Sequence, residues 1–244
     1  MSYLSRKDIE AIAVRIFDDY KRLPRHTGMP IARIDPMILV TELCGLHIDH
    51  CHLSKDGFTL GMTSFNEFGV KVYDDSGQPF LYYLDGVTIL VEKDLKDDPS
   101  QYGRYNFTLL HETVHQILSR LFPNSPRAIQ NRIIYYRGIS PQYPIQDWSE
   151  WQADNLASAL LLPVEIMLEA LYRFDLEHGI EILNKVYRPK EYERFCEMAA
   201  FLGASKQALA IRLKQLGLLK KEYLKNPHEL VDVEMEDDEQ CPNP

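Results

Sequence analysis

The sequence predicts an α+β fold, from three features. Apolar residues recur at helical spacing near both ends of the chain, short aromatic and β-branched segments crowd residues 46 to 91, and Asp/Gly turn residues separate them. With 244 residues, 45% of them apolar, there is material for one sizeable core or a core with a small appendage. The economical architecture is a small antiparallel sheet packed on helices, followed by a C-terminal helical segment of helix-turn-helix character.

From the N-terminus, Ser5 reads as a helix cap with Asp8 three residues on. Ile9, Ile12, Ala13, Ile16, Phe17 and Tyr20 then form one apolar stripe to about Lys21. After a loop marked by Pro24, Gly28 and Pro30, Asp35-Pro36 opens a second helix that Gly45 closes. Leu46 to Leu53 is a short strand rich in histidine. Period-two geometry puts His50 and His52 on one face, and with no further ligand nearby this reads as a half-exposed strand, not a second metal site. Strands follow around Phe58–Leu60, Val70–Tyr73, Phe80–Leu84 and Val87–Val91, joined by Asp74-Asp75-Ser76-Gly77 and Asp85-Gly86 turns. They form one antiparallel sheet of about three or four strands, whose edge can accept an extended peptide.

A polar connection, Asp94 to Tyr105, leads into an amphipathic helix around His111-Glu112-Thr113-Val114-His115. Phe107, Leu110, Val114, Ile117, Leu118 and Leu121 bury one side of it. His111 and His115 are four apart, so they share a face one turn from each other. Two neutral imidazoles so placed grip a single zinc ion and leave Glu112 beside the open coordination position.

Residues 123 to 147 are long and irregular, with a short helix expected within Ile129–Tyr136. Such a loop in a compact domain is commonly a lid or binding loop. Arg104, Tyr135, Tyr136, Arg137 and Tyr143 lie near enough in sequence to the motif to serve an oxyanion or a substrate, and nothing in the sequence chooses among them.

The third ligand comes from a helix starting near Asp147 or Ser149 and ending at Pro163. Glu150, Ala153, Asp154 and Ala157 share a face, and the small residues let this helix lie close to another. Glu150 can then reach the metal while Asp154 hydrogen-bonds the outer nitrogen of a ligating histidine. Glu150 also fits a capping box with Asp147. Asp147 and Glu165 are the substitutes.

The pair Phe107-Thr108-Leu109-Leu110-His111-Glu112-Thr113-Val114-His115 and Glu150-Trp151-Gln152-Ala153-Asp154-Asn155 through Leu161-Leu162-Pro163 resembles the ImmA/IrrE-type zinc metallo-endopeptidases. The likeness runs over roughly residues 5 to 220 and includes the Asp35–Leu46 helix. It implies a gluzincin-like (zincin) catalytic core with zinc on His111, His115 and Glu150, and Glu112 as general base. It further implies a cytoplasmic protein, often phage- or mobile-element-encoded, whose protein substrate is a transcriptional repressor. Two positions depart from the family pattern. Val114 replaces the usual glycine before the second histidine, and Thr113 the usual leucine.

Beyond Pro163 a further helix carries Ile166, Leu168, Leu171 and Phe174. Residues 191 to 221 then read as helix, Gly203-Ala204-Ser205 turn and second helix. Lys206, Arg212, Lys214, Lys220 and Lys221 supply positive charge there with no acid between Gly203 and Lys221; this is the footprint of a DNA-reading helix with Lys206, Arg212 and Lys214 as contacts, set against the favoured reading of a basic surface helix that completes the core or grips a repressor. Most of the net charge of −9 comes from seven acids within Glu229–Glu239, a disordered solvated tail. The organisation expected is therefore 1–190 as catalytic domain, 191–225 as the helical segment packed on or appended to it, and 226–244 as tail.

No run approaches the ~18 apolar residues of a membrane span, and the first ten residues lack a signal-peptide apolar stretch. Cys44, Cys51, Cys196 and Cys241 show no Cys-x-x-Cys spacing, which points to a reducing, cytoplasmic setting. Two functions are thus set against each other. One is a zinc-dependent endopeptidase acting on a protein; the other is a regulator that binds DNA or a repressor through 191–221, with a structural or vestigial metal site.

Overall fold

The computed structural model describes residues 4–123, the backbone of 133–136, and 148–228. Helix α1 (Arg6–Lys21) starts at Ser5 as the sequence indicates. The Ser5 hydroxyl accepts the Asp8 N–H and the Asp8 carboxylate accepts the Ser5 N–H, satisfying two groups that a helix start leaves open. Helix α2 (Pro36–Ile38) is capped by Asp35 and widens at once into a π-helical stretch, Leu39–Leu43. The sequence gives no sign of that widening.

The strands are β1 (His47–Cys51), β2 (Thr59–Thr63), β3 (Glu67–Tyr73), β4 (Pro79–Asp85), β5 (Thr88–Glu92) and β6 (Ile133–Tyr136). They do not form the single antiparallel sheet expected. One sheet has the order β1-β5-β2-β6, with β1 parallel to β5, and β2 antiparallel to both β5 and β6. The β3–β4 hairpin stands apart. The division follows the burial pattern. Every residue of β2 and β5 is buried, as in a sheet covered on both faces, while β3 and β4 keep many exposed positions. The hairpin lies over one face of the main sheet, where Val70, Val72 and Leu84 meet Leu53, Met62 and Leu90. Ile89 and Val91 point the other way, into the main core. β6 also corrects the helix expected within Ile129–Tyr136: Ile133 to Tyr136 is extended, as its β-branched and aromatic residues favour. Residues 129 to 132 lie outside the described residues.

The polar connection is helical: α3 (Lys93–Asp97) and a 3-10 turn precede the long α4 (Tyr102–Leu121). There follow α5 (Trp148–Leu161), α6 (Val164–Arg173), β7 (Ile180–Leu183), α7 (Pro189–Phe201), α8 (Lys206–Gln215) and β8 (Leu219–Glu222). β7 pairs with β8 in parallel across the boundary expected at residue 190. Phe195, Met198, Ala199, Leu202, Leu209, Ala210 and Leu213 share one hydrophobic cluster with α1, α4 and α5, so this segment is part of the main core. The acidic tail lies outside the described residues from 229 onward.

Two contacts tie the α7–α8 turn to the start of α4. Asn106 Nδ2 donates to Gly203 O at 2.8 Å. Gly103 lies so near the turn that a Cβ there would sit 2.4 Å from Ser205 N and 2.5 Å from Ala204 C. Arg212 corrects a further expectation. It is 1% exposed, its guanidinium paired with Glu10 on α1 and its Nε donating to Leu162 O at 3.1 Å, so it is not a DNA contact. Its stripe mates Leu209 and Leu213 drag it inward, and the long stem packs while the head finds partners. Lys214 lies 3.4 Å from Glu222, and Lys206 3.4 Å from the Tyr192 hydroxyl. Among the described residues no single helix is long and apolar enough to cross a membrane.

The histidines of β1 divide their partners. His50 Nε2 meets the Tyr105 hydroxyl at 3.1 Å, and His52 Nδ1 lies 2.9 Å from the Glu92 carboxylate, which also accepts the Leu53 N–H at 2.7 Å. His52 Nε2 is 3.4 Å from Asp75 in the hairpin turn. The Glu92 hydrogen bond raises the His52 pKa above its ordinary value, against the pull of burial. Because the folded-state pKa is the higher one, this tie stabilises fully below about pH 6.5 and is lost as pH rises through the raised value. The difference in urea midpoint between the parent chain and His52→Asn should therefore be largest near about pH 6 and shrink steadily toward about pH 9.

Candidate metal centre

Helix α4 is sandwiched between the sheet and α5, which explains why its polar motif is buried. Leu109, Leu110, Val114 and Leu118 fill the core on one side, and His111, Glu112, Thr113, His115 and Gln116 are buried as well. A helix covered all round must give each buried polar group a partner. Thr113 returns its hydroxyl to Leu109 O at 2.8 Å, and Gln116 Nε2 donates to Thr63 Oγ1 and Ser64 O, both at 2.7 Å. Val114, where the family pattern has glycine, is accommodated fully inside the core.

Helix α5 comes close because Ala153 and Ala157, both fully buried, face the contact. That approach delivers Glu150 and Asp154. Glu150 Oε2 lies 3.1 Å from His111 Nε2 and 3.5 Å from His115 Nε2, and the two Nε2 atoms are 2.9 Å apart. In a tetrahedral site with ligand bonds of about 2.0–2.1 Å, neighbouring donors stand about 3.3 Å apart. The observed triangle brackets that length.

On the far side of the ring, His111 Nδ1 is 2.9 Å from Asp154 Oδ1. An N–H directed there leaves the Nε2 lone pair aimed at the triangle. Burial disfavours a charged His111, yet Asp154, Glu150 and Glu112 together push its pKa up to about 9. Burial likewise disfavours a charged Glu150, but hydrogen bonds from His111 and His115 hold it well below the carboxylate range. Three carboxylates therefore crowd two imidazoles, and two ring nitrogens face each other. A divalent cation at the triangle would offset two of those three negative charges and take up the facing lone pairs. His111, His115 and Glu150 can hold a metal ion.

Glu112 is fully buried on the flank of α4 that meets β2. Gly61 permits this. A Cβ there would lie 2.8 Å from Glu112 Cγ, 2.9 Å from its Oε1 and 2.8 Å from Thr108 Cγ2. Sequence reasoning missed both Gly61 and Gln116. A glycine in the middle of a buried strand was the available signal for the first, while Gln116 gave none.

Glu165 pairs with Lys21 at 3.0 Å on the surface, which removes it as a substitute ligand. Asp147, Arg137 and Tyr143 lie outside the described residues. Arg104 hydrogen-bonds Gln101 in the first turn of α4 at 3.1 Å. Tyr135 and Tyr136 are placed by backbone alone, opposite Gly61 and Thr59. A second group of ligand atoms, on His52, Glu92 and Asp94, falls within 4.8 Å. There the Glu92 carboxylate is already spent on His52 and the Leu53 N–H. Comparison of the sequence with protein-family models and with curated proteins finds no match.

Two substitutions separate the parts of this centre. Asp154→Ala should weaken metal binding by about 10–100-fold, read by competition with a chromophoric chelator. Gly61→Ala should cost about 1–3 kcal/mol in urea unfolding, because backbone and helix must part to admit the methyl group.

Proposed function

We propose that this chain is a zinc-dependent endopeptidase of the ImmA/IrrE type, acting on a protein substrate that the family resemblance suggests is a transcriptional repressor. One observation carries the reading: two imidazole nitrogens and a carboxylate oxygen form a ligand triangle with a further carboxylate, Glu112, on the same helix turn. Three protein ligands of the His2Glu kind are the donor set of a catalytic zinc with one position left open. Zinc held there supplies a Lewis acid that polarises a carbonyl and makes water acidic near neutral pH.

The chain's own residues do the rest. Glu112 takes a proton from the attacking water and returns it to the leaving amine. Asp154 keeps His111 in one tautomer and one orientation. Gly61 lets β2 hold Glu112 in place from the opposite side. The two paired motifs, the α+β arrangement of sheet and helices, the contact of α8 with α5 and the seating of the α7–α8 turn on the start of α4 all support a zincin-like core in which the C-terminal segment is structural. The inward Arg212 leaves the DNA-binding alternative without its central contact.

Glu112→Gln should retain about one zinc per chain while lowering hydrolysis of a fluorescence-quenched protein substrate by about 10²–10⁴-fold. Undiminished hydrolysis by that variant would refute Glu112 as the base.

A further inference from the structure

The edge of β2 beside the catalytic helix is the natural seat for an extended peptide, because an open strand edge offers a row of backbone donors and acceptors. In this structure that edge is taken by the chain itself. β6 pairs antiparallel with β2, Ile133 opposite Thr63, Ile134 opposite Met62, Tyr135 opposite Gly61 and Tyr136 opposite Thr59. Tyr135 thus sits across the ladder from the glycine that presses on Glu112. β6 also lies against α4. Glu112 and His111 are fully buried and His115 nearly so.

We propose that β6 is an internal stand-in for the substrate: Ile133–Tyr136 occupies the peptide-binding edge, and a protein substrate must displace it. The inference rests on the peptidase reading for the fate of the bound strand, but not for the exchange itself. The stand-in also names the substrate chemistry. The preferred segment is extended and able to pair antiparallel with Thr59–Thr63.

Two features suit β6 to exchange. It is four residues long, and its pairing with β2 shifts register between Thr59 and Gly61, so the ladder is short and interrupted. The partners on the other side differ: β5 is buried at every position and joins β2 to β1 within the core. Losing β6 therefore leaves the sheet beneath it whole.

Successive residues of a strand direct their N–H groups to opposite edges, so prolines at both 134 and 135 must remove a donor to β2. In the zinc-loaded full chain carrying Glu112→Gln, the added pair Ile134→Pro and Tyr135→Pro should bind a fluorescent peptide of residues 132–137 (Arg-Ile-Ile-Tyr-Tyr-Arg) at least about ten-fold more tightly, since the intact chain keeps the edge filled. Fluorescence anisotropy reads this. Equal affinity in the two chains, or no binding to a folded proline chain, overturns the proposal.

Should the proline chain fail to fold, hydrogen exchange on the parent chain decides. Amides of β2 that face β6 should exchange at least about ten-fold faster than those of β5, and equal protection overturns it. Restoring Glu112 in the proline chain separates the two readings. Peptide binding without cleavage of quenched protein sinks the peptidase and leaves the strand exchange standing.

Discussion

The structure turns on the desolvation of α4. A helix pressed between a sheet and another helix offers its polar side chains no water, and a buried charge without a partner costs several kcal/mol. The histidines, Glu112 and Gln116 must therefore find their partners on the elements that cover them. Glu150 and Asp154 on α5 answer His111 and His115, and Thr63 and Ser64 at the end of β2 answer Gln116. The donor triangle is a product of that closeness, and the closeness depends on Ala153 and Ala157 having almost no side chain to hold the helices apart.

Distant residues keep α5 where this requires. Its C-terminal end is met by the buried Arg212, which bonds Leu162 O and pairs with Glu10 of α1. A cation beside the carbonyl end of a helix is favourable, and here it also locks three elements together. Gln215 adds a second tie, to Asn155 at 3.2 Å. Glu150 is thus positioned by small residues at the helix contact and by an ion pair beyond the far end of its own helix.

The sequence revealed most where chemistry demands a fixed spacing. His111, Glu112 and His115 show themselves by the helical repeat, and Glu150 and Asp154 by the same repeat on a small-residue helix; the structure brings all but Glu112 into one cluster of short contacts. The Ser5 and Asp35 caps were legible for the same local reason. What failed was non-local. Whether β1 joins β5 in parallel, or β3 and β4 leave the sheet as a hairpin, depends on which faces are covered, and no short window contains that. Arg212 was misread because periodicity tells that a position is turned inward but not whether a charged residue there has found Glu10, two hundred positions away. β7 and β8, four residues each, are too short for a pattern to declare itself.

The clamp on the first turn of α4 sets an order of events during synthesis. Asn106 and its acceptor Gly203 are separated by 97 positions. At about 5–20 residues per second, the ribosome adds Asn106 about 5–20 s before the turn that braces it. Until then Gly103 and Asn106 have nothing to dock on, and α5 lacks the arginine at its far end. The nascent chain carries its histidines early and their bracing late, so the centre reaches its final geometry only when α8 has left the ribosome.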